Sequence, residues 1–241
     1  MSAYRQSPFA NLTPVVKNLL IINLIFFIPF LLIDHQDPQG PATTLFGAFY
    51  FNSPSFRPWQ LITYMFMHGG FEHILFNMFA LFSFGPILEY TLGSKRFLNF
   101  YFICGIGAVI LQLIVQAIEV HNITGSFTIS QPSLDASYYQ YGAQAQHLYD
   151  IYHAPLVGAS GAIFGILVAF AMIYPNLELM MLFVPVPVKA KYFISFYVLL
   201  EIYLSFKQSA GDSVAHFAHL GGALFGFILV KLWHVKGTGN F

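Results

Sequence analysis

The chain has 241 residues, of which 57% are hydrophobic and only 8% charged, with a formal net charge of zero and a mean hydropathy of +0.65. An ordinary soluble domain carries about 25% charged residues, so this chain cannot cover a water-facing surface with polar groups, and its 28 Phe and 14 Tyr suit lipid-facing and interfacial positions. Zero net charge lacks the basic footprint that nucleic-acid binding leaves, and a single Cys104 forms neither an intrachain disulfide nor a metal-thiolate cluster.

Apolar runs of about 17–25 residues, the length that crosses the hydrocarbon core, predict six transmembrane helices in an all-α integral membrane protein. Residues 1–14 read as a short cytoplasmic segment with neither a cleavable signal pattern nor an Arg-rich transit pattern, which points to a bacterial plasma membrane. The first span is predicted over residues 15–33. Residues 35–57, rich in Pro, Gly, Thr and Ser, are a polar connection. The second span is predicted over 70–92 and the third over 97–119. Only residues 93–96 separate them, so they are antiparallel neighbours. Residues 121–155 read as a long polar loop, and 156–174 as the fourth span, ended by Pro175 with Asn176. Residues 177–188 are apolar but carry Pro185 and Pro187, so a partly embedded loop is expected there. The fifth span is predicted over 190–206, the sixth over 213–233, and residues 234–241 form a cytoplasmic tail. Residues 15–233 are thus a single membrane domain.

An even number of spans puts both termini on one side. With the N-terminus inside, Arg5, Lys17, Lys95, Arg96, Lys189, Lys191, Lys231 and Lys236 are cytoplasmic, and only Arg57 and Lys207 lie outside. Eight against two favours an N-in, C-in topology. Spans two, four and six then begin at the outer face, and the polar residues of interest cluster there.

Gly158-Ala159-Ser160-Gly161 opens the fourth span. Small residues of this kind commonly serve only for helix packing. A serine at a helix N-terminus also has free backbone N–H groups and the helix dipole beside it, which stabilise a developing oxyanion. Its hydroxyl still needs a base. The candidate lies in Ala218-His219-Leu220-Gly221-Gly222, near the start of the sixth span, where an ionisable residue reads by default as functional. The alternatives are a structural histidine bonded to a carbonyl, and His216 in the same role. Gly222 and Gly226 follow His219 at i+3 and i+7 and share its face. Gly161, Gly165 and Ala169 form a matching stripe on the fourth span. Two such stripes let helix backbones approach closely and bring Ser160 to His219. At the outer end of the second span, His73 and Asn77 share a face at i,i+4. They are donors of the oxyanion-hole type or, alternatively, interhelical hydrogen-bonding groups. A metal held by His68, His73, His216 and His219 is disfavoured: Glu72 is the only carboxylate close in sequence, it points away from His73, and Ser160 stays unexplained. Neither a metal nor an organic cofactor is expected. A transporter site is disfavoured too, since it is expected nearer the midplane.

These residues resemble the rhomboid family of intramembrane serine proteases. Gly158-Ala159-Ser160-Gly161 is similar to the family's G-x-S-G, Ala218-His219-Leu220-Gly221-Gly222 to its A-H-x-x-G, and His68 with His73 to Asn77 to its H-x-x-x-x-H-x-x-x-N. The resemblance implies a six-helix bundle and a Ser–His dyad working through an acyl-enzyme. It makes Ser160 the nucleophile, and His219 the general base and then the acid that protonates the leaving amine. The dyad fits the lack of an obvious third acid. His73, Asn77 and the Ser160 backbone N–H would bind the oxyanion, with His68, Gly158, Gly161, Phe164 and Gly222 in support. The family also implies a cavity open to the outer face, a fifth span acting as a lateral gate, and single-span membrane proteins as substrates. A non-catalytic relative would lose the Ser or the His, and this chain keeps both. Two departures bear on loop anchoring and fine tuning: Trp59-Gln60 stands where many members have Trp-Arg, and Phe164 where many have Tyr. Glu89, before Leu92-Gly93-Ser94, is similar to a structural position of the family.

Overall fold

A computed structural model of the chain describes residues 12–129, 141–181, 184–207 and 215–237. The N-terminal segment up to residue 11, predicted to be cytoplasmic, the predicted start of the sixth span at Ser213 and the tail beyond residue 237 lie outside the described residues.

Helix α1 spans Pro14–Leu32, with proline at the first turn, where its missing N–H costs nothing. Glu89 satisfies two of the orphan donors there: its carboxylate accepts the Val15 and Val16 N–H groups at 3.1 and 2.9 Å and the Ser94 hydroxyl at 2.6 Å. One buried carboxylate thus joins the start of α1 to the junction between α4 (Phe71–Leu92) and α5 (Ser94–Thr124). Gly93 makes that junction at φ +78°, a left-handed conformation that glycine adopts without strain.

The connection from α1 to α4 is more ordered than its composition implies. It contains α2 (Pro41–Phe46), α3 (Gln60–Thr63) and a 3-10 turn over Tyr64–Phe66. The Asp34 carboxylate accepts the Ala42 N–H at 2.7 Å, the Thr43 N–H at 2.8 Å and the Thr43 hydroxyl at 2.7 Å, which seats α2. Gln60, 0% exposed, anchors the loop: its carbonyl accepts the Arg57 N–H, and its amide donates to the Thr44 and Ser55 carbonyls. The neutral glutamine makes its own set of loop contacts where an arginine is usual, and the Trp59 indole adds a bond to the Leu45 carbonyl.

Beyond α5 come α6 (Ala145–His153), α7 (Ser160–Ile173), α8 (Ala190–Lys207) and α9 (His216–Leu232). Helix α7 is the core. It packs against α4, α5, α8 and α9, and 10 of its 14 residues are buried, as expected of a helix apolar all round. On α1 and α8, by contrast, large apolar side chains such as Leu32, Phe196 and Phe206 point outward. That inside-out surface suits a lipid solvent. Helices α1, α4 and α5 are long and apolar enough to cross a bilayer, while α7 and α9 are apolar but shorter.

Two expectations need correction. Residues 177–188 are not an irregular loop: β1 (Glu178–Met181) pairs antiparallel with β2 (Val184–Lys189), Glu178 opposite Lys189 and Leu179 opposite Val188. Prolines 185 and 187 forbid a helix, yet in a two-stranded ribbon both strands are edges, where a residue lacking N–H is tolerated. The 121–155 loop is also shorter than expected. Helix α5 continues to Thr124, where Gly125 at φ +75° stops it, and α6 occupies part of the remainder.

Candidate active site

The approach to Ser160 is pinned from both sides. Ala48 and Leu156 exchange backbone hydrogen bonds of 2.9 and 2.7 Å, and the Gly158 N–H donates to the Tyr64 carbonyl at 2.9 Å. The Tyr64 hydroxyl in turn donates to the Gly105 carbonyl on α5 at 2.6 Å. Gly158 sits at φ +127°, which a side chain rarely adopts, and the chain then turns so that Ser160 is the first residue of α7. Its hydroxyl therefore lies at the positive end of the central helix.

The glycine stripes meet. A Cβ on Gly222 would collide with the Gly161 carbonyl, and one on Gly226 would fall 2.6 Å from the Gly165 carbonyl oxygen. Gly165 is pressed from the other side by Cys104 of α5, whose thiol is fully buried. This close contact of α7 with α9 places His219 Nε2 2.8 Å from Ser160 Oγ. Phe164, one turn along α7, stacks on the His219 ring at 4.4 Å between centroids and 13° between planes, and also meets Tyr197 of α8.

His73 borders the same space. A Cβ on Gly158 would lie 2.7 Å from His73 Nε2 and 3.4 Å from Ser160 Oγ, so the glycine leaves open a small space between the imidazole and the hydroxyl. The Gly69 N–H lies 3.4 Å from His73 Nδ1, an arrangement that leaves Nε2 as the donor. Asn77 is less directly engaged: its amide donates to the His73 carbonyl at 2.8 Å, within its own helix. His68 stands behind His73, buried, edge-to-face with it at 5.1 Å.

No third acid is obvious in the sequence, and the structure brings a carboxylate to the far side of His219. Glu201 on α8, 3% exposed, places Oε2 3.0 Å from His219 Nδ1 and 2.6 Å from His216 Nδ1. A lone carboxylate inside an apolar span is the signal that would have found it. Donor atoms of Glu201, His216 and His219 lie within 4.8 Å of one another, a spacing that a divalent ion could bridge. Both ring nitrogens of His219 are already engaged, however, with Glu201 and Ser160.

The sequence profile of the rhomboid domain matches residues 55–235, which holds every residue of this cluster. The chain belongs to the rhomboid family. Among its relatives, YdcA of Bacillus subtilis, a rhomboid-family protein, is 31% identical over 50% of this chain and 60% of its own length. The rhomboid protease AarA of Providencia stuartii is 28% identical over 88% of this chain and 69% of its own length. Rhomboid protein 1 of Saccharomyces cerevisiae, a mitochondrial protein, is 26% identical over 70% of this chain and 40% of its own length. This rhomboid spans about half the length of the first relatives it matches, at 60%, 34% and 54%. With its family and its apolar helices, it is an integral membrane protein. Bacterial and mitochondrial proteins both occur among its relatives.

Proposed function

We propose that this rhomboid is an intramembrane serine endopeptidase that hydrolyses peptide bonds in or near the transmembrane segments of other membrane proteins through an acyl-enzyme. The observation that carries this is the 2.8 Å contact between Ser160 Oγ and His219 Nε2, made at the N-terminus of the central helix. Ser160 attacks the scissile carbonyl while His219 takes its proton as general base. His219 then delivers that proton to the leaving amine, and water repeats the sequence on the acyl-enzyme. The negative charge on the carbonyl oxygen develops between the Ser160 backbone N–H and His73 Nε2. Asn77 holds the His73 turn and belongs to the same oxyanion pocket. Phe164 fixes the plane of the His219 ring without adding a hydroxyl.

The six-span, N-in, C-in arrangement belongs to this reading, supported by the eight-to-two bias of basic residues. It puts the start of α7 toward the outer face. Substrates are single-span proteins entering from the bilayer past α8. A serine-reactive fluorophosphonate tests the reading without a substrate. Labelling of the purified protein, lost in both Ser160→Ala and His219→Ala, is expected. A folded wild-type protein that does not label, or a Ser160→Ala variant that still does, overturns it.

A further inference from the structure

A dyad leaves the best-buried carboxylate beside it without a role. Glu201 lies in the apolar helix α8, where an ionised carboxylate is costly unless paired and hydrogen-bonded. Its pairing is specific: a single oxygen, Oε2, meets His219 Nδ1 at 3.0 Å and His216 Nδ1 at 2.6 Å. An ionised carboxylate only accepts hydrogen bonds, so Nδ1 of both rings carries the proton. His219 Nε2 is then bare, and it is the atom facing Ser160 Oγ at 2.8 Å. This is the tautomer that a general base must hold, and the one a carboxylate on Nδ1 enforces.

We infer, resting on the reading of Ser160 and His219 as the reacting pair, that Glu201 completes a Ser160–His219–Glu201 triad as a positioning residue. Its carboxylate fixes the tautomer and plane of His219 and stabilises the imidazolium formed during each transfer. The balance is simple. The Ser160 O–H bond breaks, its proton goes to Nε2, and the Oγ–carbon bond forms. The same proton later goes to the leaving amine, and Glu201 stays ionised throughout. His216 holds the carboxylate from its other side, which explains two histidines three residues apart at the start of α9. Among the described residues, the groups facing His219 are Ser160 and Phe164 from α7, His73 from α4, Glu201 from α8 and His216 on its own helix; Tyr197 lies against Phe164. Among them Glu201 is the one carboxylate.

The contact also crosses between helices. Glu201 belongs to α8, and its two partners belong to α9. A substrate that displaces α8 outward therefore pulls on the group that orients the base.

The test compares wild type, Glu201→Gln and Glu201→Asp for fluorophosphonate labelling rate across pH, with thermal unfolding as the fold control. Glutamine keeps the shape and removes the charge. The expected result is a fall of roughly 10²-fold or more, scaled from the loss seen when a triad carboxylate is neutralised. The acid limb of the profile also moves to lower pH, because the imidazolium has lost its counter-charge. Aspartate restores part of the rate. Equal rates and an unmoved acid limb in folded Glu201→Gln overturn the triad and leave Glu201 a staple between helices. Absence of labelling in wild type defeats instead the reading of the dyad itself. A measurement on the wild type alone covers variants that do not fold: histidine 15N shifts above the acid limb. They are expected to report Nδ1–H on His219, and an Nε2–H tautomer overturns the inference.

Discussion

Gly158 carries more of the active site than its lack of a side chain suggests. Its φ of +127° and the position of its missing Cβ, 2.7 Å from His73 Nε2, give two independent reasons for glycine. Gly158→Ala should strain the turn before Ser160 and fill the space proposed for the oxyanion. We expect turnover to fall by roughly 10²-fold, the scale of losing one oxyanion donor, in a protein that still folds; near-normal turnover in a peptidase assay would mean the oxyanion forms elsewhere. His73→Ala should cost a similar factor. Asn77→Ala should cost less, because its amide acts on the His73 turn. At this scale Ser160, His219, His73 and Phe164 were legible because each lies in a short motif on one helix. Glu201 was not, since its partners are 15 and 18 residues away on another helix. Only side-chain geometry shows that one oxygen serves both.

Helix contacts were legible wherever glycine spacing carried them. The i, i+4 stripe of α7 and that of α9 name each other, and they meet as the pattern requires. Gly222→Ala should push a methyl group into the Gly161 carbonyl and separate the two helices. Overpacking of this kind costs about 1–3 kcal/mol, so a lower unfolding temperature in detergent should accompany loss of probe labelling. The hairpin of residues 178–189 was not legible because prolines mark only where a helix cannot form. They do not say whether the chain pairs with itself. Helix α6 hid for a different reason: it is short, amphipathic and tied to α5 by side chains. His147 lies 3.4 Å from Glu119, and the hydrogen bond to that carboxylate raises the imidazole above its usual value. A raised value stabilises the folded form below the unfolded pKa of about 6.5. That help is lost as pH climbs through the folded value. The pair is partly exposed, so its worth is small, about 0.2–1 kcal/mol. Once corrected for the intrinsic base-catalysed rise, amide-exchange protection over residues 145–153 should fall between pH 6 and pH 8, and His147→Ala should remove that excess dependence.

At the scale of the whole molecule, composition already named the solvent. A chain with 8% charged residues and an exterior bearing Leu32, Phe196 and Phe206 belongs in lipid. The proposed orientation makes a checkable statement about its two ends. Cysteines placed at Lys207 and at Lys95 should react with an impermeant maleimide from opposite faces of sealed vesicles; labelling of both from one face would refute the N-in, C-in topology.

Such an experiment is favoured by Cys104. The only thiol of the chain is walled in between α5 and Gly165, with no accessible surface. The native protein is therefore spectroscopically silent toward thiol reagents. Two cysteines introduced on α4 and α8 can carry a pair of spin labels without any background substitution, and the distance between them becomes a direct ruler for whether α8 moves when a single-span membrane protein is added.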